Sequence, residues 1–221
     1  MNEPVTVFWS FRSPYSYIAL PRLLALSKKF DVTLDMRIVH PAALRNPDYF
    51  RTMNSIARPY FLLDSARAAA FHGLPFRRPL PDPVTQDPVT LALAPEQPLA
   101  RRLGRLGIAA TERGRGFAFC LEVSRLLWDG QTSGWNEGGH LAQATLRAGL
   151  DLVQLESAVN ADPAGYEKAL ALNDQALRTA GHWGVPTMVY KGEPFFGQDR
   201  IEMLIWRLEA EAGMETVPDA T

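Results

Sequence analysis

Apolar and polar positions follow two different rhythms along the chain, and the change of rhythm divides it. Val5 to Trp9 (VTVFW) is a β-branched and aromatic run that predicts a buried strand. Ser13-Pro14 follows: serine is a favoured N-cap, and proline at the first helical position sacrifices no hydrogen bond. From Pro14 to Lys29, Tyr17, Ile18, Leu20, Leu23 and Leu24 form an apolar stripe. Lys28 and Lys29 fall in the last turn, where cations favour the helix dipole. Asp31 to Val39 then alternates as a second strand. A β-α-β opening implies parallel strands and a right-handed crossover.

The rhythm is helical over Asp64 to Phe71, Pro98 to Leu106, Phe117 to Trp128, His140 to Ala148 and Tyr166 to Ala180. From Leu74 through Pro98 there are seven prolines, Pro98 included, which forbid a long regular element. Either an ordered loop covering a site or a flexible linker fits, and the ordered loop is the expectation. Strand signals return at Thr187 to Tyr190 and Glu193 to Phe196, separated by a Lys191-Gly192 hairpin turn. Gln198 to Glu209 is a final helix with Ile201, Leu204, Ile205 and Leu208 on its apolar side. Residues 1–40 and 181–213 thus make one discontinuous α/β unit. Residues 41–180 form a helical insertion, and 214–221 a frayed tail.

Composition narrows the function classes. The 221 residues are 47% hydrophobic, enough to bury a sizeable core. Lys and Arg number 23 against 24 Asp and Glu, so charge gives no reason to expect nucleic acid or an anionic membrane as partner. The single Cys120 excludes an internal disulfide, and His40, His72, His140 and His182 lack zinc-ligand spacing, so no metal site is expected. The N-terminus lacks a signal-peptide pattern and no apolar run reaches membrane-spanning length, which predicts a soluble cytoplasmic protein.

Three short segments could carry chemistry. At Ser13-Pro14-Tyr15-Ser16, unpaired N–H groups and the dipole at a helix start favour an anion such as a thiolate, although Ser13 also fits a plain cap. Gly184-Val185-Pro186-Thr187 precedes a strand, and a cis Pro186 there would let Val185 present its N–H and C=O to an extended peptide; an ordinary turn fits as well. Phe195-Phe196-Gly197-Gln198-Asp199-Arg200 opens the last helix, with Asp199 suited to an ammonium group or to capping, and Arg200 to a carboxylate or to solvent.

In this order the three segments resemble 2-hydroxychromene-2-carboxylate isomerases and kappa-class glutathione transferases, of the DsbA-like branch of the thioredoxin superfamily. Pro75-Phe76 and Arg147 to Asp151 extend the resemblance through nearly the whole chain. It implies an α/β, thioredoxin-like (DsbA-type) β-α-β…β-β-α domain with a large all-helical insertion. It also implies glutathione as cofactor, a homodimer, and a small aromatic or chromene-type carboxylate as substrate. DsbA-type oxidoreductases open the first helix with C-P-x-C, whereas this chain has Ser13 and Ser16, which cannot form the mixed disulfide that exchange needs.

By the same resemblance Ser13 is the catalytic serine, donating a hydrogen bond to the thiolate of bound glutathione. Val185 beside Pro186 pairs with the cysteinyl backbone, and Gln198, Asp199 and Arg200 hold the γ-glutamyl end. The implied enzyme is a glutathione-dependent cis-trans isomerase. The alternatives are a kappa-type transferase and, from another class, a non-catalytic peptide binder or chaperone. The substrate carboxylate needs a cation, for which Arg45, Arg58, Arg77 and Arg78 are candidates, with Asn54 and Tyr60 lining the same mouth and Trp183 touching the ligand. The chain departs from the family in carrying Ser10 where an acid is common and Arg12 where an apolar residue is common. His40 to Asp48 also lacks the Gly-rich, Lys-bearing pattern of chromene isomerases, and these differences bear on substrate identity.

Overall fold

The computed structural model describes residues 3–48, 52–211 and 213. Its sheet has the strand order β2-β1-β3-β4. The centre is β1 (Val5–Trp9), in which every residue but Thr6 is buried. It runs parallel to β2 (Leu34–Ile38), with Val5 opposite Leu34 and Trp9 opposite Ile38. On its other side it is antiparallel to β3 (Thr187–Tyr190), with Phe8 opposite Thr187. The hairpin from β3 to β4 (Glu193–Phe196) turns at Lys191 and Gly192, whose φ values of 49° and 82° suit a two-residue turn with left-handed residues.

The crossover between the parallel strands is α1 (Pro14–Phe30), capped by Ser13 and ended by Asp31 at φ 50°, whose N–H bonds back to Ser27 O. This left-handed stop explains why the second strand begins at Leu34 and not at Asp31. The buried side of α1, including Ile18, Leu20, Leu23 and Leu26, packs into the core.

Seven further helices lie between β2 and β3 among the described residues. They are α2 (Ala42–Arg45), α3 (Ala57–Phe71), α4 (Pro98–Glu112), α5 (Gly116–Trp128), α6 (His140–Arg147), α7 (Leu152–Ala161) and α8 (Pro163–Thr179). Helix α3 starts seven residues before the expected Asp64, because Pro59 falls in its first turn, where an N–H is not needed. The sequence reading did not identify α7, whose buried stripe is only Leu155 and Val159 and whose start is capped by the Asp151 side chain. After β4, a 3-10 turn (Gln198–Arg200) leads into α9 (Ile201–Glu211). The expected frayed tail, 214–221, lies outside the described residues. No helix among the described residues is long and apolar enough to cross a membrane.

One hydrophobic core runs from the sheet into the helices, with Trp9, Phe119 and Trp135 fully buried in it. Helix α4 crosses β2 so closely that a Cβ on Gly107 would lie 2.9 Å from the Phe11 ring and 3.1 Å from Ile38. Glycine is what lets the helix approach.

The proline-rich segment between α3 and α4 is an ordered loop, not a linker. Arg12 donates from Nε and Nη2 to the two oxygens of Asp82 at 2.7 and 2.9 Å. Tyr17 donates to Pro75 O at 2.7 Å, and Trp135 Nε1 to Pro81 O at 2.8 Å. The N–H groups of Arg77 and Gly134 bond to Trp128 O and Leu80 O, each at 2.7 Å. Tyr17 stays neutral: its pKa is pushed up to about 12 by burial, with the Asp129 charge adding to it.

Burial alone raises the Asp82 pKa, but the hydrogen bond and charge of Arg12 outweigh it and hold the carboxyl below its usual range. A depressed folded pKa means the latch is complete above the ordinary aspartate value of about 3.9 and is lost as pH falls through the lower folded value. Asp82→Ala is expected to destabilise the chain by about 2 kcal/mol. Hydrogen exchange at the Arg77 and Gly134 amides should accelerate in the variant, and in the wild type only at strongly acidic pH. Unchanged exchange in Asp82→Ala would remove the latch.

Candidate functional site

The register of β1 and β3 dictates where the first and second motifs meet. Phe8 faces Thr187, so the chain leaving β1 toward Ser13 runs past the residues entering β3. Ser13 has φ −87° and ψ 117°, and its Oγ accepts the Ser16 N–H at 3.2 Å as an N-cap. The same hydroxyl donates to Val185 O at 3.2 Å. Pro14 has no N–H, and the Tyr15 N–H opens on the first turn, where no carbonyl lies one turn back to accept it. The start of α1 and the Val-Pro turn are therefore one site.

That turn is held from four sides. The Val185–Pro186 peptide is cis. His182 Nδ1 accepts the Gly184 N–H at 2.9 Å, and Thr187 Oγ1 donates to Gly184 O at 2.8 Å. The Phe196 ring lies against Gly184 where a Cβ would stand, and stacks on His182 with ring centres 3.8 Å apart. Partial burial lowers the His182 pKa, which suits a ring that accepts at Nδ1. The third motif joins here too, since the Gly197 N–H bonds to Pro186 O at 2.9 Å with Gly197 at φ 97°.

Ser13 and Val185 border a cavity of about 500 Å³. Tyr15, Phe61, Phe76 and Trp128 supply aromatic wall, and Trp183 and Phe196 flank the Val-Pro turn. Phe76 and Trp128 stack at 5.5 Å and 20°. Tyr15 packs edge-on against Phe61, and its hydroxyl donates to Asp64 at 2.6 Å. Burial first, then this bond, raises the Tyr15 pKa far above normal, so it is a neutral donor. Arg12, Arg58, Arg77, Arg78 and Asp82 are the charged lining residues. Ser10 also borders the cavity, 1% exposed, with no partner for its Oγ.

The structure brings Ser13, Val185, Trp183 and Arg58 together, with Pro186 buried behind Val185. Arg45, expected to meet substrate, is corrected to a structural position. Its guanidinium is buried at 2.5 Å from Asp174, and it donates to His40 O at 2.7 Å and to Trp183 O at 2.9 Å. It positions the Val-Pro turn from behind. Asn54 is corrected likewise: its Oδ1 accepts the Ile56 N–H in an exposed turn. Tyr60 is 60% exposed on α3 beside the lining residues Phe61 and Leu62 and is not itself part of the cavity wall, although its charge reaches the Tyr15 hydroxyl.

Gln198, Asp199 and Arg200 form the 3-10 turn next to the cavity and not its wall. Gln198 Oε1 accepts from Arg22 Nη1 at 3.0 Å and lies 3.2 Å from His72 Nε2. Asp199 and Arg200 pair at 2.7 Å on the surface, where the Asp199 charge still reaches the Tyr15 hydroxyl. Cys120 is fully buried in α5, and burial raises its thiol pKa well above normal, so the chain places no thiol in the cavity. The sequence reading singled out neither Phe61 nor Ser65. Both line the cavity one turn apart on α3, Phe61 on the stretch before Asp64 that Pro59 obscured and Ser65 within the expected helix, where a lone serine carries no signal.

No curated protein matches the sequence. Among solved structures, a 2-hydroxychromene-2-carboxylate isomerase superposes with a TM-score of 0.70 at 21% identity, covering 97% of this chain and 100% of that one. A probable DsbA oxidoreductase from Streptomyces coelicolor gives 0.65 at 20% identity, covering 99% and 93%. The cytosolic disulfide reductase DsbM from Pseudomonas aeruginosa, in a structure with GSH, gives 0.59 at 14% identity, covering 96% and 99%. These likenesses establish a shared fold. Residues 4–209 match the family described as DSBA-like thioredoxin domain, and the chain belongs to that family.

Proposed function

We propose that this chain is a glutathione-dependent isomerase acting on a small conjugated acid. The observation that carries the reading is the Ser13 hydroxyl at the start of α1, set against Val185 O at the edge of an aromatic cavity, with no thiol of the chain's own there. A DsbA-like site with serine at both cysteine positions cannot form mixed disulfides. The superposition on a 2-hydroxychromene-2-carboxylate isomerase, and on a disulfide reductase whose structure contains GSH, supports the same reading.

The residues present fit the tripeptide. Val185 offers a backbone edge for strand-like pairing with a cysteinyl residue. Its C=O now takes the Ser13 hydrogen. With that carbonyl taken up by a cysteinyl N–H, the Ser13 hydroxyl would be free to turn toward sulfur. The Tyr15 N–H and the α1 dipole favour the negative charge there. In this reading Asp199 and Arg200 exchange their pairing with each other for the γ-glutamyl ammonium and carboxylate respectively. Bound glutathione supplies a thiolate that adds to a conjugated double bond and later leaves, so the bond rotates without net redox change. Ser13 lacks an adjacent base, so it acts as a hydrogen-bond donor and not as a nucleophile. The aromatic walls exclude water from the planar substrate.

Calorimetry should show glutathione binding at or below millimolar concentration; no heat at that level would reject both the isomerase and the transferase readings. Over many turnovers glutathione should remain undiminished, whereas stoichiometric consumption would make the chain a transferase. Ser13→Ala is expected to raise the pKa of the bound thiol by about one unit, seen as weaker thiolate absorbance near neutral pH. An unchanged titration would take Ser13 out of the mechanism. Asp199→Ala should weaken glutathione binding about tenfold without altering thermal unfolding, and an equal affinity would leave Asp199 as a surface partner of Arg200.

A further inference from the structure

The cavity is lined by four arginines and one carboxylate. Asp82 is already committed to two of those cations, holding Arg12 through both oxygens and lying 3.3 Å from Arg78. Among the described residues, neither Arg58 nor Arg77 has a carboxylate partner.

Arg77 is nevertheless fixed in place. Its N–H bonds to Trp128 O at 2.7 Å, and Nη2 donates to Thr132 O at 2.9 Å and Ser133 Oγ at 3.2 Å. Both acceptors are neutral, so they orient the guanidinium without cancelling its charge. Arg58 stands on the first turn of α3, where the helix dipole disfavours a cation. Neither placement is explained by an ion pair among the described residues, and with Arg58 half-buried and Arg77 at the exposed rim a single substrate carboxylate would pair with only one of the two.

We propose that the acid taken into this cavity carries two anionic groups on a planar frame, one held by Arg58 and the other by Arg77. The stacked Phe76 and Trp128 rings offer a flat wall for that frame. A volume of about 500 Å³ lies within the range of small-molecule sites, roughly 300–1,000 Å³. The proposal rests on the glutathione reading only in naming this acid as the second substrate. The γ-glutamyl end of the tripeptide is assigned elsewhere, to the turn at Gln198–Arg200.

The test is calorimetric titration of the full chain with benzoate, isophthalate and terephthalate, with and without saturating glutathione. At least one dicarboxylate is expected to bind about tenfold more tightly than benzoate or better. Arg58→Gln and Arg77→Gln should each abolish that preference, while Arg58→Lys and Arg77→Lys retain most of it. Glutathione affinity should be the same in all four variants. Equal binding of mono- and dicarboxylates by the wild type would overturn the proposal. So would a loss of glutathione affinity in either glutamine variant, because that would assign the arginine to the tripeptide. A dicarboxylate preference in a chain that binds no glutathione would uphold the two-anion site and reject the glutathione reading instead.

Discussion

The Ser13 hydroxyl caps α1 through the Ser16 N–H and bonds the Val185 carbonyl, and the arrangement of the site depends on that pair of contacts. The two partners lie 172 residues apart, so the bond forms only when the first and last thirds of the chain share a sheet. The antiparallel register of β1 and β3 makes this possible by setting Phe8 opposite Thr187. A one-residue slip would turn every side chain of β3 to the other face and carry Val185 away from the helix start. The buried core side of β1 and the buried Met188 of β3 hold that register against slippage.

Around this contact the fold separates rigidity from charge. The Val-Pro turn is fixed by neutral bonds to His182, Thr187 and Gly197, and from behind by the buried Arg45–Asp174 pair on Trp183 O. A buried ion pair contributes little net stability once desolvation is counted, but removing one partner leaves an uncompensated charge. Its benefit here is geometric, since it ties α2 and α8 to the residue preceding Gly184. On the cavity side the charges are left unbalanced, and Asp82 is spent on holding the loop to Arg12.

The loop itself shows why a segment with six prolines is not a linker. Proline lowers the entropy of the unfolded chain, so a small number of anchors is enough to order the segment. Those anchors come from the termini of other elements: Arg12 after β1, Trp128 at the end of α5, and Gly134 and Trp135 before α6. The loop thereby becomes a wall of the cavity and carries Phe76, Arg77 and Arg78 to it.

Much of this was legible in the residues themselves. Local signals marked β1, α1 and the closing hairpin: a β-branched run, Ser-Pro at a helix start, and Lys-Gly between two short apolar strands. The motif order pointed to the family, and the missing cysteines pointed away from disulfide exchange, because both depend on residue identity at fixed chain positions. Helix α7 escaped because two buried side chains make too narrow a stripe, and the early turns of α3 because a proline in the first turn looks like a breaker. Which arginine faces the cavity was beyond reach of the sequence. Arg45 and Arg58 have the same chemistry, and only packing turns one toward Asp174 and the other toward the aromatic walls. Sequence sets the helix start, the turn and the ends of strands, which are local. The sum of charge in a cavity depends on which distant side chains neutralise one another, and that is settled only when the chain is folded.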